Sequence, residues 1–400
     1  MGQFSNLLAD IYQVSIELKD ADITKALRIN SCNIYESVSQ LIPTCEIDLT
    51  LPIDLINAKP EIFSDGTPIT ISLKTRDDFK TFQINETYKF RLYKIAELEV
   101  DSVFLHCIIY GIFDCYKLFE DGNQYNANAN TSEIVCKIAG ACGLQCEKDG
   151  TSDKQLWIAG EKNARDFIKY MAKYGYIDDT SGIFWCVTRN KKLIYKNIIT
   201  TFNSCSNGSC KTLLPAAGFD KNNKVITCTN LITTVNNGEN NVKHNGYGGK
   251  DSYFILKDYK LKKACCTKTC ACSSCCNVNS ELSKGLSTVW PGFDVGNMHK
   301  KYYQAPRQND RTLAMFSTEF EAYCQFMQPC ELTNILDIKY AYSYAQSSDE
   351  TSGNINILNP FSTKAMVHSH RIEISPVGVS SYIGLVMQGL NINAEKSGSY

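Results

Sequence analysis

The sequence lacks an excess of charge of either sign. Its 400 residues contain 41 lysines and arginines against 42 aspartates and glutamates, a net charge of −1 at pH 7. This balance gives no electrostatic case for tight nucleic-acid binding by the molecule as a whole, although a local basic surface lining a channel would not show in the sum. The composition is that of a soluble globular protein, and the length allows two or three domains, each with its own core.

Long hydrophobic runs and targeting segments are also missing. The most apolar stretch, residues 103–113, contains His106 and Cys107 and is too short to cross a bilayer. The first residues have neither the basic segment nor the apolar core of a secretory signal, and residue 6 is Asn where a myristoylation motif needs Ser or Thr. We therefore expect a soluble protein made in a cytoplasm, with no stable membrane insertion.

Histidine is scarce, at five residues, and no catalytic motif is present. His368 and His370 have the spacing of one strand face and could supply two ligands of a metal site, but no third ligand is nearby in sequence. We interpret them as surface polar residues. Glu319 and Glu321 also share a strand face, and we interpret them as a solvated pair rather than an acid pair for catalysis. The sequence predicts no enzyme, no catalytic residues and no cofactor.

Cysteine, by contrast, is abundant, at 19 residues. Thirteen are scattered along the chain. Four of these lie among strongly apolar neighbours, which predicts buried thiols that pack as small hydrophobic side chains: Cys107, Cys115, Cys136 and Cys186. The other six form a dense cluster: Cys265, Cys266, Cys270, Cys272, Cys275 and Cys276.

Three interpretations of this cluster stay open. Thiolates at this density can hold zinc or an iron–sulfur centre. The ligands would be Cys266, Cys270, Cys272 and Cys275, or the last two with the distant pair Cys205 and Cys210. Alternatively, all six cysteines oxidise to disulfides, within a loop or to a neighbouring subunit, after the protein leaves a reducing cytoplasm. The third interpretation is an exposed loop without fixed chemistry.

Short segments of β character, separated by turn signals, dominate most of the chain. They predict strands at residues 12–18, 27–35, 45–51, 68–73, 82–84, 88–93 and 100–116, and later at 225–235, 253–256, 312–326, 335–344, 364–374 and 382–392. Many short strands indicate a barrel or a sandwich, and the absence of crossover helices argues against a parallel α/β sheet.

A mixed segment interrupts this pattern after a polar linker at residues 118–130. Its spacing predicts a helix capped by Thr131 or Ser132 and ending at Gly143, a strand at 156–158, a second helix ending at Gly175, and a hairpin at 183–195. The predicted fold class is mainly β with an α+β insertion. Its parts are a first β-barrel domain at 1–118, the α+β domain at 119–197, a second β-barrel domain at 198–392 with a cysteine-rich loop at 262–280, and a flexible tail at 393–400.

The order of these parts resembles the central hub family of phage tail baseplates and the N-terminal part of type VI secretion spike proteins. In the first block, Ile34-Tyr-Glu36-Ser37 precedes the strand at 45–51, and Ser64-Asp-Gly66 precedes the strand at 69–73. In the mixed segment, a helix that ends at a glycine precedes a tryptophan-bearing strand and the helix that starts Ala164-Arg-Asp-Phe167. The closing stretches at 352–370 and 385–389 are similar to the final barrel of such hubs. The cysteine-rich loop departs from the pattern.

The resemblance implies a structural hub. It implies a homotrimer of two tube-like barrels per subunit, which forms a pseudo-sixfold ring in the virion tail baseplate and joins the tail tube protein to the central spike. Peripheral baseplate proteins would be further partners, and DNA or the tape measure would pass through the channel. The alternative is a metal-binding or redox protein built around Cys265–Cys276. A peptidoglycan-acting tail enzyme is disfavoured because no acid pair or metal triad can be assembled.

Overall fold

The structure is a computed structural model. It describes residues 11–19, 21–22, 28–58, 60–77, 83–101, 103–120, 125–178, 181–205, 210–215, 225–235, 252–255, 260–263, 298–299, 301–302, 305–314, 316, 318–328, 330–341 and 360–387. Most of these residues form β-strands. The cysteine-rich cluster at 265–276 and the predicted tail at 393–400 lie outside the described residues.

The first β-rich block begins the main sheet. Its strands are β1 (Tyr12–Leu18), β2 (Ala21–Asp22), β3 (Arg28–Ser37), β4 (Thr44–Pro52), β5 (Pro68–Thr75), β6 (Asn85–Val100) and β7 (Phe104–Phe113). A short helix, α1 (Ile53–Ala58), and a 3-10 turn (Pro60–Phe63) connect β4 to β5, and a second 3-10 turn (Tyr116–Leu118) follows β7.

The mixed segment forms an α+β insertion. It contains β8 (Asn126–Ala129), α2 (Thr131–Ala141), β9 (Gln145–Lys148), β10 (Gln155–Ile158), α3 (Ala164–Tyr174), β11 (Ile183–Val187), β12 (Lys192–Asn197) and α4 (Ile198–Asn203). Strands β8 and β10 form one small sheet, and β11, β12 and β9 form another.

The remaining described residues return to the main sheet. They form β13 (Lys211–Pro215), β14 (Val225–Cys228), β15 (Asn230–Val235), β16 (Ser252–Ile255), β17 (Lys260–Lys263), α5 (Ala305–Ala314), β18 (Thr318–Cys324), β19 (Ile335–Ala341), β20 (Pro360–Ser375) and β21 (Gly378–Met387). Strands β16 and β17 form a separate hairpin.

One sheet of 14 strands joins the two β-rich blocks. Its order is β14-β13-β19-β20-β3-β4-β7-β6-β5-β1-β2, and β21, β18 and β15 extend from the other side of β20. The sheet curls into half a barrel. Most pairs are antiparallel, but β13 pairs in parallel with β14 and β19. The blocks meet where β3 pairs with β20. The predicted mainly-β fold with an α+β insertion is confirmed.

Alternation of side chains explains how the sheet forms its core. Along β4 and β7, every second residue is buried, so one sheet face packs inward. The opposite face is polar along β4 but mostly apolar along β7, where it carries Ile108, Tyr110 and Ile112. A larger hydrophobic cluster joins the first block to the insertion, and a smaller one fills the second block. Gly111 lies at a tight point of the larger cluster, because a Cβ there would approach Cys45 Sγ to 2.6 Å.

The sheet repeats one five-strand arrangement. We call β5-β6-β7-β4-β3 the first unit and β19-β20-β21-β18-β15 the second unit, because neighbours in each series are hydrogen-bonded in the same order. The long strands β6 and β20 each contain 16 residues. Both have a β-bulge at the equivalent position: pairing with the next strand skips Tyr93 in the first unit and His368 in the second. Pairing with the preceding strand ends just before the bulge in each, at Arg91 and Met366.

Several sequence predictions about local structure were wrong. Part of the polar linker forms β8, which is paired with β10. Residues 198–203 are helical although β character was expected from residue 198, and residues 312–314 belong to α5 although a strand was predicted at 312–326. Helix α5 is attached there to the end of α3, where its Asn309 amide donates to backbone oxygens of Ala172, Lys173 and Gly175.

The start of α2 also differs from the prediction. Thr131 and Ser132 are the first helical residues and do not cap the helix themselves. Their backbone amides donate to the side chains of Asp153 and Thr151, at 3.0 and 3.1 Å. A buried carboxylate about 20 residues away in sequence therefore does the work that a local N-cap normally does.

Candidate functional site: the seam between the blocks

The β3–β20 pair forms a seam where the two β-rich blocks and the insertion meet. In its register, His370 lies opposite Glu36, and Arg371 lies opposite Tyr35. Glu36 and His370 are both buried, at 3% and 1% exposure. Two polar side chains of this kind need partners to be stable away from water.

The partner is Arg189, which the insertion supplies. It lies in the tight turn between β11 and β12, where the Thr188 amide donates to the Lys192 carbonyl at 2.8 Å. The β11 end is also attached to the first block, because the Val187 amide donates to the Leu41 carbonyl at 2.7 Å. This turn directs a guanidinium that is only 3% exposed into the seam.

Arg189 connects all three parts of the chain. Its Nη1 lies 2.6 Å from Glu36 Oε1 of β3 and 2.5 Å from His370 Nδ1 of β20. Its Nη2 donates to the Cys330 carbonyl at 2.9 Å, and its backbone amide donates to Glu36 Oε2 at 3.0 Å. Its Nε lies 3.4 Å from Glu86 Oε2. We call Arg189, Glu36, His370 and Glu86 the seam cluster.

Electrostatics fix the protonation states in the seam cluster. Burial alone would raise the pKa of Glu36, but the Arg189 charge and the surrounding hydrogen bonds outweigh it and hold that pKa below its ordinary value. Burial, followed by the positive charge of Arg189, lowers the pKa of His370. His370 is therefore neutral and accepts from Arg189 at Nδ1, so its proton is on Nε2, which has no hydrogen-bond partner among the described residues.

A groove of about 270 Å³ lies along the same seam. Its lining includes Tyr35 of β3, Arg371 of β20, Tyr382 of β21 and both acidic residues of β18, Glu319 and Glu321. The Arg371 guanidinium lies over the Tyr382 ring, 3.7 Å from its centre. The groove floor is tight, since a Cβ on Gly384 would approach Ser369 Oγ to 2.1 Å.

The histidine prediction needs correction. His370 is buried in the seam cluster and is not a surface residue, and the bulge at His368 interrupts the regular alternation of β20. Glu319 and Glu321 are exposed, as predicted. Within the described ranges, no group of three or more His, Cys, Asp or Glu side chains is placed to hold a metal ion. No helix in those ranges is long and apolar enough to cross a membrane.

The cysteines in the described ranges divide into buried thiols and disulfides. Cys107, Cys115 and Cys186 are buried and free, as predicted, and burial raises the pKa of Cys107 to about 11 and of Cys115 to about 12, so both thiols stay protonated. The prediction for Cys136 was wrong, because it forms a disulfide with Cys146 that joins α2 to β9. The candidate metal ligands Cys205 and Cys210 are also joined in a disulfide. The six clustered cysteines and their proposed metal ligands lie outside the described residues.

Sequence reasoning missed Arg189 and Glu36 as a pair. Arg189 was assigned only to a hairpin turn, where arginine is ordinarily solvated. One signal was available: the strand before the turn, IFWCV, is entirely apolar, and the strand after it has the apolar centre Leu-Ile-Tyr, which indicates a hairpin packed against a buried surface. Nothing local in the sequence identifies Glu36 of β3 as the partner.

The fold and the seam together define a mainly-β scaffold of two equivalent sheet units with an α+β insertion that locks them. No family model matches the sequence, and no curated protein matches it. Among solved structures, the chain is similar to a 43 kDa tail protein of prophage MuSo2 from Shewanella oneidensis. The TM-score is 0.51 and the identity 10%, over 94% of this chain and 97% of that one.

Two further structures have lower scores. A tail protein from Neisseria meningitidis MC58 has a TM-score of 0.49 at 7% identity, covering 94% of this chain and 96% of that one. The E. coli c3393 protein, a type VI secretion component described as similar to the T4 tail proteins gp27 and gp5, has a TM-score of 0.42 at 8% identity, covering 94% and 76%. At the level of the fold, the chain is therefore similar to a phage tail protein, in agreement with the expected resemblance.

Proposed function

We propose that the protein is a structural hub of a phage tail baseplate or a related contractile injection machine. Three copies form a ring with pseudo-sixfold symmetry that joins a sixfold tail tube to a threefold central spike and encloses a channel for DNA or the tape measure. The insertion projects outward to peripheral baseplate proteins. The protein carries out no chemistry and needs no metal or cofactor.

The observation that carries this proposal is the repeated five-strand unit, within a chain whose fold is similar to a prophage tail protein over 94% of its length. Two equivalent units per chain become six equivalent units in a trimer, which is the arrangement that a sixfold tube requires. Closed rings also remove open sheet edges, which would otherwise promote aggregation. The seam cluster supports a load-bearing role, because it fixes both units and the insertion in one buried network.

The test is the mass and symmetry of the purified protein. Native mass measurement at micromolar concentration, with and without reductant, should give three times the mass of the chain, and electron microscopy should show a hollow particle with threefold symmetry. A stable monomer would refute the proposal. Metal analysis of the same sample separates the alternative, since a protein organised around Cys265–Cys276 would hold stoichiometric zinc or iron and lose its fold with chelator.

A further inference from the structure

Two stretches of the repeated units have a strand on only one side in the described part of the chain. Strand β15 pairs with β18 and with no other described strand. The second half of β6, residues 93–100, pairs with β7, but its pairing with β5 ends at Arg91. Ile232 of β15 is 54% exposed, and Tyr93, at the β6 bulge, is 50% exposed. Apolar and aromatic side chains at open strand edges favour pairing with another chain.

The chain itself shows how these stretches pair. By the order of the two units, β15 is equivalent to β3, and β6 is equivalent to β20. Within one chain, β3 pairs with β20 immediately after the bulge, from Ser369 to Ile374. The same two strand edges that meet at this internal seam therefore recur on β15 and on the second half of β6, where the described chain provides no partner strand for either.

We propose that β15 of one copy pairs antiparallel with residues 95–100 of β6 in the next copy, and so repeats the internal seam between subunits. This inference rests on the proposed ring. The internal register, carried across the equivalent strands, places Val235 opposite Ile95 and Thr234 opposite Ala96. Between Ala96 and Glu99, β6 has one more residue than the strand β7 that it pairs with, and this second irregularity places Ile232 opposite Glu99.

The residue types at these positions suit a junction that forms by association. The buried Glu36–His370 pair of the internal seam corresponds to Val235 and Ile95 between copies. An aliphatic pair becomes buried without the desolvation cost of an ion pair, and it needs no equivalent of Arg189. A strand pair alone buries little area, so the remaining faces of neighbouring units must also be in contact for a stable ring.

A charge-reversal experiment tests the proposed register. Ile232→Glu adds a carboxylate to β15. Within the same chain this carboxylate lies opposite Glu321 of β18, and in the proposed seam it lies opposite Glu99 of the next copy. Like charges directly opposite on paired strands should raise the dissociation constant roughly fivefold at each seam, and roughly a hundredfold for a trimer with three seams. Adding Glu99→Lys should restore assembly, because it turns the repulsion across the seam into attraction. Leu156→Glu is the matched control, an exposed apolar residue on β10, and should leave assembly unchanged.

Disulfide trapping gives a second readout that does not depend on weakened assembly. Ala96→Cys with Thr234→Cys should link positions 96 and 234 of different copies, as identified by peptide mapping, because directly paired residues meet the Cα separation of a disulfide. Glu99→Cys with Thr234→Cys lies three residues out of register and should not link. A wild-type trimer with neither the rescue nor the link would overturn the proposed seam but leave the hub function intact. A wild-type monomer would overturn both.

Discussion

Replacing Arg189 with methionine removes the charge that joins the insertion to both sheet units. The substitution keeps most of the side-chain length and leaves the backbone amide of residue 189 in place, so Glu36 keeps one of its hydrogen bonds. It removes the Nη1 contacts with Glu36 and His370 and the bond to the Cys330 carbonyl. Glu36 would then be a buried carboxylate without a counter-charge, which is a strongly destabilising arrangement.

The size of the effect depends on pH, because Glu36 can escape by taking up a proton. Protonating a carboxyl group with an ordinary pKa of about 4.3 costs about 4 kcal/mol at pH 7 and about 1 kcal/mol at pH 5. This sets a ceiling on the charge-dependent loss of unfolding free energy. The unsatisfied Cys330 carbonyl adds about 1–3 kcal/mol that does not change with pH. We therefore expect a total loss of up to about 5–7 kcal/mol at pH 7 that shrinks by about 3 kcal/mol at pH 5.

Urea unfolding of wild type and variant at pH 7 and pH 5 measures this difference. Arg165→Met is the control. Arg165 is 40% exposed and pairs with Asp166 on the surface of α3, so its loss should change the free energy of unfolding by less than about 1 kcal/mol at either pH. Adding Glu36→Gln to Arg189→Met should recover part of the loss at pH 7, since no buried charge remains. A loss that is the same at both pH values would refute the assignment of an ionised Glu36.

Three further predictions follow from the same contacts. Folding keeps His370 neutral, so its contribution to stability is present above the unfolded histidine pKa and falls as pH drops below about 6.5, by at most about 1.4 kcal/mol per pH unit. His370→Gln should abolish this pH-dependent component, so the difference in unfolding free energy between wild type and variant should change from pH 7 to pH 5. The same difference at both pH values would contradict the prediction. Cys136→Ala removes the disulfide to Cys146, and the small loop that this bond closes implies a loss of about 3 kcal/mol in the free energy of unfolding. Calorimetry of the oxidised proteins should detect the difference between wild type and variant, and reductant should abolish it. Asn309→Leu removes the amide group whose two hydrogens are shared among three backbone oxygens at the end of α3, and should destabilise the insertion by about 2–4 kcal/mol. Amide exchange in α3 should then be faster than in wild type while exchange in β4 is unchanged; an unchanged rate in α3 would argue against it.

Much of the local structure could be read from the sequence, because period-two and helical spacings are local signals. Strand β1 has the predicted bounds, and helices α2 and α3 lie where their apolar spacing placed them. The errors occurred where distant contacts decide the conformation. The alternating Asn and Ala residues of β8 read as linker but pair with β10, and residues 312–314, predicted to begin a strand, belong to helix α5, which is hydrogen-bonded to the end of α3.

The functional site was less predictable. Arg189, Glu36 and His370 are separated by more than 150 residues, and arginine and glutamate usually lie at the surface, while histidine is intermediate in burial. Sequence reasoning placed His370 at the surface as well. Only the pairing of β3 with β20, with the insertion packed over it, turns three ordinary polar residues into one buried network.

The sequence by itself determined the β-rich character, the position of the α+β insertion and the faces that are buried, because burial patterns within a strand or helix depend on near neighbours. The tertiary structure alone decided that the two β-rich blocks share one sheet and that they are built on one repeated unit. Strand order and register depend on hydrogen bonds between residues far apart in the chain, and these leave no periodic trace in the sequence.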